Sequence, residues 1–520
     1  MASPVQVVWF KRDLRIDDHV PLVQAARTGR VLPLYIVEPE YWEQADTSRR
    51  HWDFIRGSLV ALDRALRGLG QALIVRHGDA AGVIEQLCAT VPVAALHSHQ
   101  ETGNQWTFAR DRAVARSLSA RGIPWHEYRQ HGVVRRLRKR DGWAAQWEAL
   151  MAAPAAAAPA AITGCEGVAG GIERLPDCPG PVAAEPLIDL QPPGLEAGRD
   201  VLRDFLRERG RHYAGGISSP ERAWTASSRL SPHLAYGTLS LRRVLQATRE
   251  RRHALRGTPD PACRAWQRSL RQFEERLHWH CHFMQKLEDQ PSIEFRNLHR
   301  ACDGLREEGF NRDRFEAWQA GHTGFPLVDA CMRALRDHGW INFRMRAMVV
   351  AFAAYHLWLH WREPAWHLAR MFTDYEPGIH YSQMQMQSGT TGINALRIYN
   401  PVKQSQDQDA EGRFIRRWVP ELAAVPGDWI HQPWRMPESL QHRAGCRIGA
   451  DYPAPLVDHV HAAQRARERF RDIRREALAR RESVTIRDRH GSRRPARGRG
   501  GSQKSRADRH QLDLFPEPDR

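Results

Sequence analysis

Short apolar runs that alternate with helical stretches in the first 135 residues constrain the fold of this chain more than any other feature. Four runs of strand length lie at residues 5–10, 31–37, 73–75 and 94–97. Buried parallel strands with helices on both faces of a sheet produce this pattern. We therefore predict an N-terminal α/β domain over residues 1–135, built on a doubly wound parallel sheet.

The pattern changes after residue 135. Residues 136–194 are rich in Ala and Pro and predict an interdomain linker, because such a segment cannot bury enough apolar surface to form a domain. Over residues 195–480 apolar side chains recur at three- and four-residue spacing, which predicts an all-helical domain. Residues 481–520 turn basic and poor in apolar side chains, and we expect a disordered tail there.

The charge and hydropathy of the chain narrow its partners. The formal net charge is +17 over 520 residues, which favours a polyanion such as nucleic acid; a genome that prefers Arg codons would be the alternative. Mean hydropathy is −0.59, and no apolar run approaches the roughly 18 residues of a membrane span. The N-terminus shows no secretory signal pattern, so we expect a cytoplasmic monomer that does not enter membranes.

The eight cysteines contain no Cys-x-x-Cys pair, which is typical of reduced thiols in a cytosolic protein. Cys281 lies between His280 and His282. Neighbouring residues on a helix point in different directions, so these three side chains do not predict a shared metal site. We expect no metal in this protein.

Several motifs carry more specific information. Residues 227–240 begin with Ser-Ser-Arg-Leu-Ser, a serine-rich turn into a helix that suits a phosphate, although most such turns are ordinary helix caps. Residues 324–346 end in Trp-Ile-Asn-Phe-Arg-Met-Arg, and Asp-Tyr-Glu at 374–376 and Arg-Ile-Tyr-Asn-Pro at 397–401 follow. The N-terminal stretch 9–18 reads Trp-Phe-Lys-Arg-Asp-Leu-Arg-Ile-Asp-Asp.

Taken in this order, the motifs resemble those of the photolyase/cryptochrome family from about residue 5 to residue 470. The resemblance implies an α/β antenna domain and a helical domain that holds FAD in a U-shaped conformation. It also implies blue-light repair of ultraviolet pyrimidine dimers in DNA by electron transfer from reduced flavin, with the lesion flipped out of the duplex. An antenna chromophore, folate or deazaflavin, is implied but not identified; residues 99–104 correspond to a region that some relatives use for folate.

The resemblance also assigns the FAD contacts. In Arg346 and Asp374 it implies an ion pair beside the isoalloxazine, where a guanidinium favours the anionic reduced flavin. An ordinary salt bridge between helices is the alternative. The implied cofactor-binding residues are Tyr213, Ser227, Ser228, Arg229, Leu230, Ser231, Arg346, Asp374 and Glu376.

The catalytic positions depart from the family pattern. Met384 stands where the family's electron relay begins with Trp, whereas Trp361 keeps the middle relay position and the outer position near Glu308 is lost. His380 stands at the position that faces flavin N5, where a histidine could tune flavin protonation. Another relay route could run through other aromatic residues, for each of which core packing is the alternative: Tyr355, Trp358, Trp366, Tyr375, Tyr381 and Tyr399.

The residues implied to contact DNA or the lesion depart from the pattern too. Arg276 replaces the usual Glu three residues before Trp279; if the alignment is shifted by one residue, Leu277 and His280 take these two positions, and the carboxylate is lost either way. Asn342 replaces a histidine of (6-4) enzymes, and Met386 replaces the Trp that stacks on the lesion. Arg344 completes this set. These differences leave two alternatives to repair open: a cryptochrome-type photoreceptor, or a DNA-binding flavoprotein without photochemistry that associates with the sliding clamp.

A short motif lies in the tail. Gln511-Leu512-Asp-Leu514-Phe515 resembles the pentapeptide by which bacterial repair proteins bind the sliding clamp. A disordered linker would present Leu514 and Phe515 to an apolar pocket of the clamp, and Gln511 would fix their orientation by hydrogen bonds. A tail end without function is the alternative.

Overall fold

A computed structural model describes residues 4–491 of the chain except 181–186, 188–189, 258–259 and 476. The N-terminal part alternates strands and helices. Its elements are β1 Val5–Phe10, α1 Val20–Thr28, β2 Arg30–Val37, α2 Pro39–Trp42, α3 Arg49–Leu69, β3 Ile74–His77, α4 Ala80–Thr90, β4 Val93–His99, α5 Gln105–Ala120 and β5 Trp125–Tyr128.

The five strands form one parallel sheet in the order β3-β2-β1-β4-β5. Every residue of β1 is buried, because helices cover both faces of the sheet and leave no solvent-exposed side to the central strand. The predicted doubly wound α/β fold and its four strands are confirmed. The edge strand β5 was not predicted, since its sequence Trp-His-Glu-Tyr is short, polar and only partly buried.

The rest of the described chain is helical, which confirms the second half of the predicted fold class. A π-helical turn at Phe352–His356 directly follows the helix Phe343–Ala351. The α-helices are α6 Trp143–Ala152, α7 Leu195–Arg207, α8 Tyr213–Gly216, α9 Ala223–Ala226, α10 Ser231–Ala235, α11 Leu241–Ala254, α12 Pro261–Asp289, α13 Arg312–Ala320, α14 Pro326–His338, α15 Phe343–Ala351, α16 Arg362–Met371, α17 Pro377–Ser388, α18 Pro401–Gln408, α19 Arg413–Trp418, α20 Glu438–Ala444, α21 His459–Arg475 and α22 Ala477–His490.

Helix α12 is 29 residues long and crosses the helical part beside α17. Phe273, Leu277 and Cys281 line its buried face at helical spacing. Gly378 allows α17 to pack closely against it, because a Cβ atom there would lie only 2.6 Å from Cα of Met284. No helix in the described ranges is long and apolar enough to cross a membrane.

The segment predicted as a linker, 136–194, contains more structure than its composition indicates. Helix α6 buries Trp143, Trp147 and Met151 against the core around α11 and α12. The indole of Trp143 also donates to the carbonyl of Gly132 over 2.9 Å. Three large apolar residues at four-residue spacing give this short helix a face to bury, so the prediction of a mere linker was wrong for residues 143–152. The domain boundaries otherwise stay a prediction.

The predicted disorder does not begin at residue 481, because α22 continues to His490. Ile486 and His490, four residues apart, are buried on one face of this helix. His490 Nε2 lies 2.8 Å from Oε1 of Gln290 at the end of α12, which fixes the helix end. Residues 492–520, with the Gln511–Phe515 motif and its predicted clamp-binding residues, lie outside the described residues.

The N-terminal motif at residues 9–18 joins the two parts of the molecule. Arg12 donates to the carbonyls of Ala235 and Tyr375, at 2.9 and 2.5 Å. Arg15 donates to the carbonyl of Gly237, and Asp18 accepts from Arg242 Nε over 3.1 Å. This loop of the α/β part therefore packs against the helical part, directly beside a cavity of the helical part.

Candidate cofactor-binding site

A cavity of about 290 Å³ lies between α12, α15, α17 and the loop that precedes α10. Its walls combine apolar rings with a few polar side chains, as in most sites for organic ligands. Most of the residues predicted from the sequence line it. They are Tyr213, Ser227, Ser228, Arg229, Ser231, Arg276, Asn342, Arg346, Asp374, Glu376, His380 and Met384.

The ion pair of Arg346 and Asp374 forms as predicted. Nη1 and Nη2 of Arg346 donate to the two carboxylate oxygens of Asp374 over 3.0 and 2.9 Å, and Nε donates to the carbonyl of Ile341. Burial opposes ionisation of Asp374, but the guanidinium outweighs burial and holds the pKa of this carboxyl below its ordinary value. The guanidinium also lies 3.9 Å from the centre of the Phe372 ring. The pair therefore fixes the Arg346 guanidinium in one orientation at the cavity wall.

The serine-rich loop is held in place by contacts with its neighbours. Arg229 adopts a left-handed conformation, with φ of 58°, and its guanidinium lies 4.1 Å from the Trp340 ring centre. Arg209 donates to the Ser227 carbonyl over 2.5 Å. Leu230 does not line the cavity, because its side chain is buried in the core behind the loop. The loop thus turns Ser227 and Ser228 toward the cavity and anchors itself through its neighbours.

Glu376 stands where the two parts of the molecule meet. It lies 3.4 Å from Nη2 of Arg12, a residue of the α/β part. Burial raises the pKa of Glu376 to about 7, even though Arg12 acts in the opposite direction. This carboxyl therefore takes up a proton within the neutral pH range.

His380 lines the cavity in its neutral form. Its Nε2 lies 2.9 Å from the carbonyl oxygen of Ala365, which can only accept, so Nε2 carries the proton and Nδ1 is an acceptor. Burial lowers the pKa of His380 to about 4. The expected titration of this histidine near neutrality was therefore wrong, and the residue offers a hydrogen-bond acceptor instead.

Asn342 lines the cavity, but most of its amide is used within the protein. Nδ2 donates to the carbonyls of Ile217 and Ser218 over 2.9 and 3.0 Å. Only Oδ1 remains for a ligand. The predicted role in lesion binding is thus reduced to a single acceptor, and the main task of this side chain is to hold the loop at 217–218.

Arginines gather near the rim of the cavity. Arg276 lines the cavity, and its guanidinium lies 5.4 Å from the ring centre of Phe343. Arg344 does not line the cavity. Burial lowers its pKa, and the positive charges of Arg276 and Arg397 act in the same direction. Arg344 thus has two further guanidiniums within electrostatic range, and we call these three residues the arginine rim: Arg276, Arg344 and Arg397.

Three further predicted residues lie away from the cavity. Trp361 is buried in the helical core, where its Nε1 donates to Oδ1 of Asn297 over 2.8 Å. Trp279 and Met386 pack with Phe283 in a small separate cluster. These positions do not place them in direct contact with a ligand in the cavity, and their predicted roles stay predictions.

The sequence did not indicate every polar residue of the wall. Gln383 and Gln387 line the cavity from α17, four residues apart. His280, which the shifted alignment of the sequence had indicated, lines it from α12. The two glutamines follow from His380 once α17 is known to be a helix, because residues three and four apart share a face. Helical spacing along α17, rather than a sequence motif, could therefore have predicted the two glutamines.

Several buried polar atoms of the cavity wall have no hydrogen-bond partner among the residues that the structure describes. Buried polar groups are ordinarily paired, so unpaired ones at a cavity indicate a ligand with hydrogen-bonding groups. These atoms are Ser227 Oγ, Asn342 Oδ1, Gln383 Nε2 and Gln387 Oε1. Together with the apolar rings and the cationic Arg346, they fit a large, partly anionic, aromatic cofactor such as FAD.

A second cluster of polar residues lies in the α/β part. Asp13 Oδ2 accepts from His19 Nε2 and His99 Nδ1 over 2.9 and 2.8 Å. Although three such residues resemble metal ligands, His19 Nδ1 already accepts from the backbone N–H of Leu22. A metal on Nε2 would place a proton on Nδ1 and break that contact, so the cluster is a hydrogen-bond network. His99 belongs to the stretch with possible antenna contacts, and Asn104 in the same stretch caps α5.

Comparisons with known proteins agree with this geometry. The family model described as "FAD binding domain of DNA photolyase" matches residues 273–472, and that of "DNA photolyase" matches residues 6–144. The deoxyribodipyrimidine photo-lyase of Streptomyces griseus is 31% identical, over 89% of this chain and 98% of that protein. Cryptochrome-2 of Arabidopsis thaliana is 28% identical, over 87% of this chain and 76% of that protein.

Solved structures are similar over almost the whole chain. A class III photolyase from Agrobacterium tumefaciens superposes with a TM-score of 0.78 at 26% identity, and covers 92% of this chain and 98% of its own. A Synechocystis cryptochrome gives the same TM-score and identity, over 90% and 99%. The cofactor of the helical domain is FAD. The chain thus belongs to the photolyase/cryptochrome family.

Proposed function

We propose that this protein is a light-driven DNA-repair enzyme that splits ultraviolet pyrimidine dimers with an electron from reduced FAD. The observation that carries the proposal is a cavity with a fixed guanidinium at its wall and an arginine rim beside it. When bound and reduced, the flavin supplies the light absorption and the electron. The residues of the chain then have to hold the cofactor, keep it anionic and bring DNA to it.

Arg346 stabilises negative charge on the reduced cofactor, because its guanidinium is fixed by the bidentate bond to Asp374. Asp374 in turn keeps a largely buried cation paired. Ser227, Ser228 and Arg229 hold the phosphates and the ribityl chain. The neutral His380 offers Nδ1 to a donor on the flavin ring.

The arginine rim binds the DNA backbone. Lys and Arg side chains near phosphates release condensed counterions and provide most of the non-specific affinity for nucleic acid. The damaged base pair then leaves the stack and enters the cavity, which costs least for a lesion that already pairs poorly. Met384, Gln383 and Gln387 form the floor against which the lesion would lie.

The decisive experiment supplies reduced enzyme with single- and double-stranded DNA that carries either lesion, illuminates it with blue light, and measures restored pyrimidines. Repair that needs both light and the reduced flavin supports the proposal. The variant Arg346→Gln should lose most of the activity, whereas Arg312→Gln, which removes an exposed arginine of α13 far from the cavity, should not. Equal activity of both variants, or no repair of either lesion, refutes the assignment.

One set of observations favours a second candidate, a cryptochrome-type photoreceptor. Met384 and Met386 replace aromatic residues, and the Asn342 amide is committed to the loop at 217–218. Reversible photoreduction without repair would support this receptor function. A flavin that is neither photoreduced nor active in repair would leave a DNA-binding flavoprotein without photochemistry.

We further propose that the motif at 511–515 tethers the protein to the sliding clamp, and that the protein works in the cytoplasm as a monomer. Binding of the full chain to purified clamp should be lost in the double variant Leu514→Ala/Phe515→Ala. The matched control is Glu517→Ala/Asp519→Ala, which lies outside the motif and should bind like the parent protein, because Leu514 and Phe515 supply the apolar contacts. Equal binding by the first variant and the parent protein would contradict the tether.

A further inference from the structure

Two tyrosines beside the cavity donate to one carboxylate. The phenolic oxygens of Tyr375 and Tyr381 lie 2.5 and 2.9 Å from Oδ2 of Asp46. All three residues are almost completely buried. Tyr375 lines the cavity, and its ring centre lies 6.5 Å from that of Tyr381. Asp46 comes from the loop between α2 and α3, so the α/β part supplies the carboxylate to tyrosines of the helical part.

The protons of this group are on the phenols. Burial and the nearby carboxylate raise the pKa of Tyr375 and of Tyr381 well above the ordinary tyrosine value. Asp46 accepts a third hydrogen bond from Nδ2 of Asn104, at 3.3 Å. Oδ2 of Asp46 therefore lies within hydrogen-bond reach of both phenol protons, which is the geometry that proton transfer requires.

The neighbouring histidines cannot take that role. The ring of His51 stacks on Tyr375 with centres 5.5 Å apart, but its Nε2 faces the carbonyls of Ala369 and Phe372. His380 donates its Nε2 proton to another carbonyl. Within the described ranges, Asp46 is therefore the base that contacts the two phenols.

The other phenol and indole rings that line the cavity lie beside cations. Tyr213 is close enough to Arg276 for the guanidinium to lower its pKa, although burial raises it overall. Trp340 carries the Arg229 guanidinium 4.1 Å from its ring centre. A cation at the hydroxyl or over the ring makes loss of an electron less favourable. Of the phenol and indole rings that line the cavity, Tyr375 is thus the one whose oxidation the surroundings assist.

Oxidation of a tyrosine requires a proton acceptor, because the phenol radical cation is a very strong acid. The usual first relay position is Met384 here, and its thioether is not a redox relay at ordinary potentials. Trp361 does not line the cavity. An electron donor in contact with the cofactor must therefore come from elsewhere in the wall.

We propose that Tyr375 and Tyr381 form a proton-coupled electron relay to the light-excited flavin, with Asp46 as their shared base. The inference rests on the light-driven flavin chemistry proposed above. In the first step Tyr375 gives one electron to the excited oxidised flavin, and its O–H bond breaks as the proton passes to Oδ2 of Asp46. The products are a neutral tyrosyl radical, a protonated Asp46 and a flavin that holds one more electron.

The shared base allows the radical to move from Tyr375 to Tyr381 while Asp46 is protonated both before and after the step. When Tyr381 gives an electron to the Tyr375 radical, Asp46 returns its proton to Tyr375 and receives that of Tyr381. An external thiol completes the cycle: it supplies one electron through the protein to the buried Tyr381 radical, and Asp46 returns the proton. For every two electrons, two thiols become one disulfide and release two protons to the solvent. The hydrogen bonds of Asp46 to Tyr375 and Tyr381 identify the partners of these proton transfers, since proton transfer needs a heavy-atom distance within hydrogen-bond reach.

The test uses the full-length, FAD-loaded protein with oxidised flavin, blue light and dithiothreitol. The variants are Asp46→Asn, Tyr375→Phe and Tyr375→Phe/Tyr381→Phe. The control is Tyr452→Phe, a buried tyrosine of the helical core that does not line the cavity and whose phenol donates to Asp329 over 2.6 Å. The readouts are the tyrosyl radical by electron paramagnetic resonance, the protonated carboxyl by time-resolved infrared spectroscopy, and the rate of flavin photoreduction. The phenylalanine variants keep ring packing, so they remain informative if Asp46→Asn fails to fold.

We expect a tyrosyl radical and a protonated carboxyl in the parent and in the control. Asp46→Asn should lose the carboxyl band and slow photoreduction on the order of 10²-fold, as expected for removal of a proton acceptor. Three results would each overturn the relay. They are photoreduction at the parental rate in Tyr375→Phe/Tyr381→Phe, a tryptophanyl radical instead of the tyrosyl radical in the parent, and no photoreduction in the parent. Chemically reduced protein needs no relay, so its repair activity tests the proposed function separately.

Discussion

Replacement of Asp374 by Asn tests whether the ion pair at the cavity wall is a buried pair or an incidental surface contact. The carboxylate accepts two charge-assisted hydrogen bonds from Arg346, at 3.0 and 2.9 Å. In Asp374→Asn one oxygen becomes an NH₂ group that faces a guanidinium donor. The side chain of Asp374 is 4% exposed, whereas that of Arg346 is 25% exposed and keeps its bond to the Ile341 carbonyl.

The expected cost follows from these exposures. Breaking a fully buried pair costs about 3–5 kcal/mol, because one charge stays behind without compensation. Partial access of water to Arg346 reduces this, so we expect a loss of about 2–3 kcal/mol in the free energy of unfolding. The double variant Arg346→Gln/Asp374→Asn should lose less than Asp374→Asn, because no isolated charge remains.

Urea unfolding followed by circular dichroism measures the change. Bound FAD stabilises the folded state by mass action, so the measurement is made at several FAD concentrations and extrapolated to none. The matched control is Glu316→Gln, which breaks an exposed pair with Arg312 and should cost less than about 0.5 kcal/mol. A loss in Asp374→Asn no larger than that of the control refutes the reasoning.

Three further predictions concern other parts of the molecule. The pKa of Glu376 is raised from 4.5 to about 7, so the stability that its protonated form contributes is present at low pH and lost as pH rises through this window. The free energy of unfolding of Glu376→Gln relative to the parent should therefore increase between about pH 4.5 and pH 7. A difference in urea unfolding that does not change with pH would contradict this. Trp143→Ala should destabilise the protein by about 3–5 kcal/mol, since the ring is buried in the core, whereas a cost under about 1 kcal/mol would mean that α6 packs loosely. Arg344→Gln/Arg397→Gln should weaken DNA binding and reduce the slope of log K against log salt by about 2, and an unchanged slope in fluorescence anisotropy would remove the arginine rim from the DNA interface.

Hydrophobic periodicity and sequence motifs predicted those features of the molecule that are determined by residues close together in the sequence. The apolar run at Val5–Phe10 predicted a buried strand, because a strand covered on both faces has no polar side. The motif residues Arg346 and Asp374 meet because α15 and the loop before α17 pack together in one compact core. These predictions needed only local patterns and a resemblance.

Contacts between distant segments were beyond such reasoning. Asp46 meets Tyr375 across 329 positions of the chain, and nothing near Asp46 distinguishes it from other surface-like aspartates. The neutral state of His380 could not be predicted either, because it results from burial and from a carbonyl of another helix. Burial and long-range pairing decide these features, and a single sequence does not display them.

The docking of the N-terminal loop has a consequence for how such a protein can be rebuilt. Arg12 reaches Glu376, and the loop after α2 supplies Asp46 to two tyrosines, so the α/β domain provides part of the chemistry that surrounds the cavity. A chimera that joins this helical domain to the α/β domain of a relative would inherit unmatched partners at both contacts. The two halves therefore behave as a single exchangeable cassette, and recombination between relatives should succeed when it transfers residues 12 and 46 together with 375, 376 and 381.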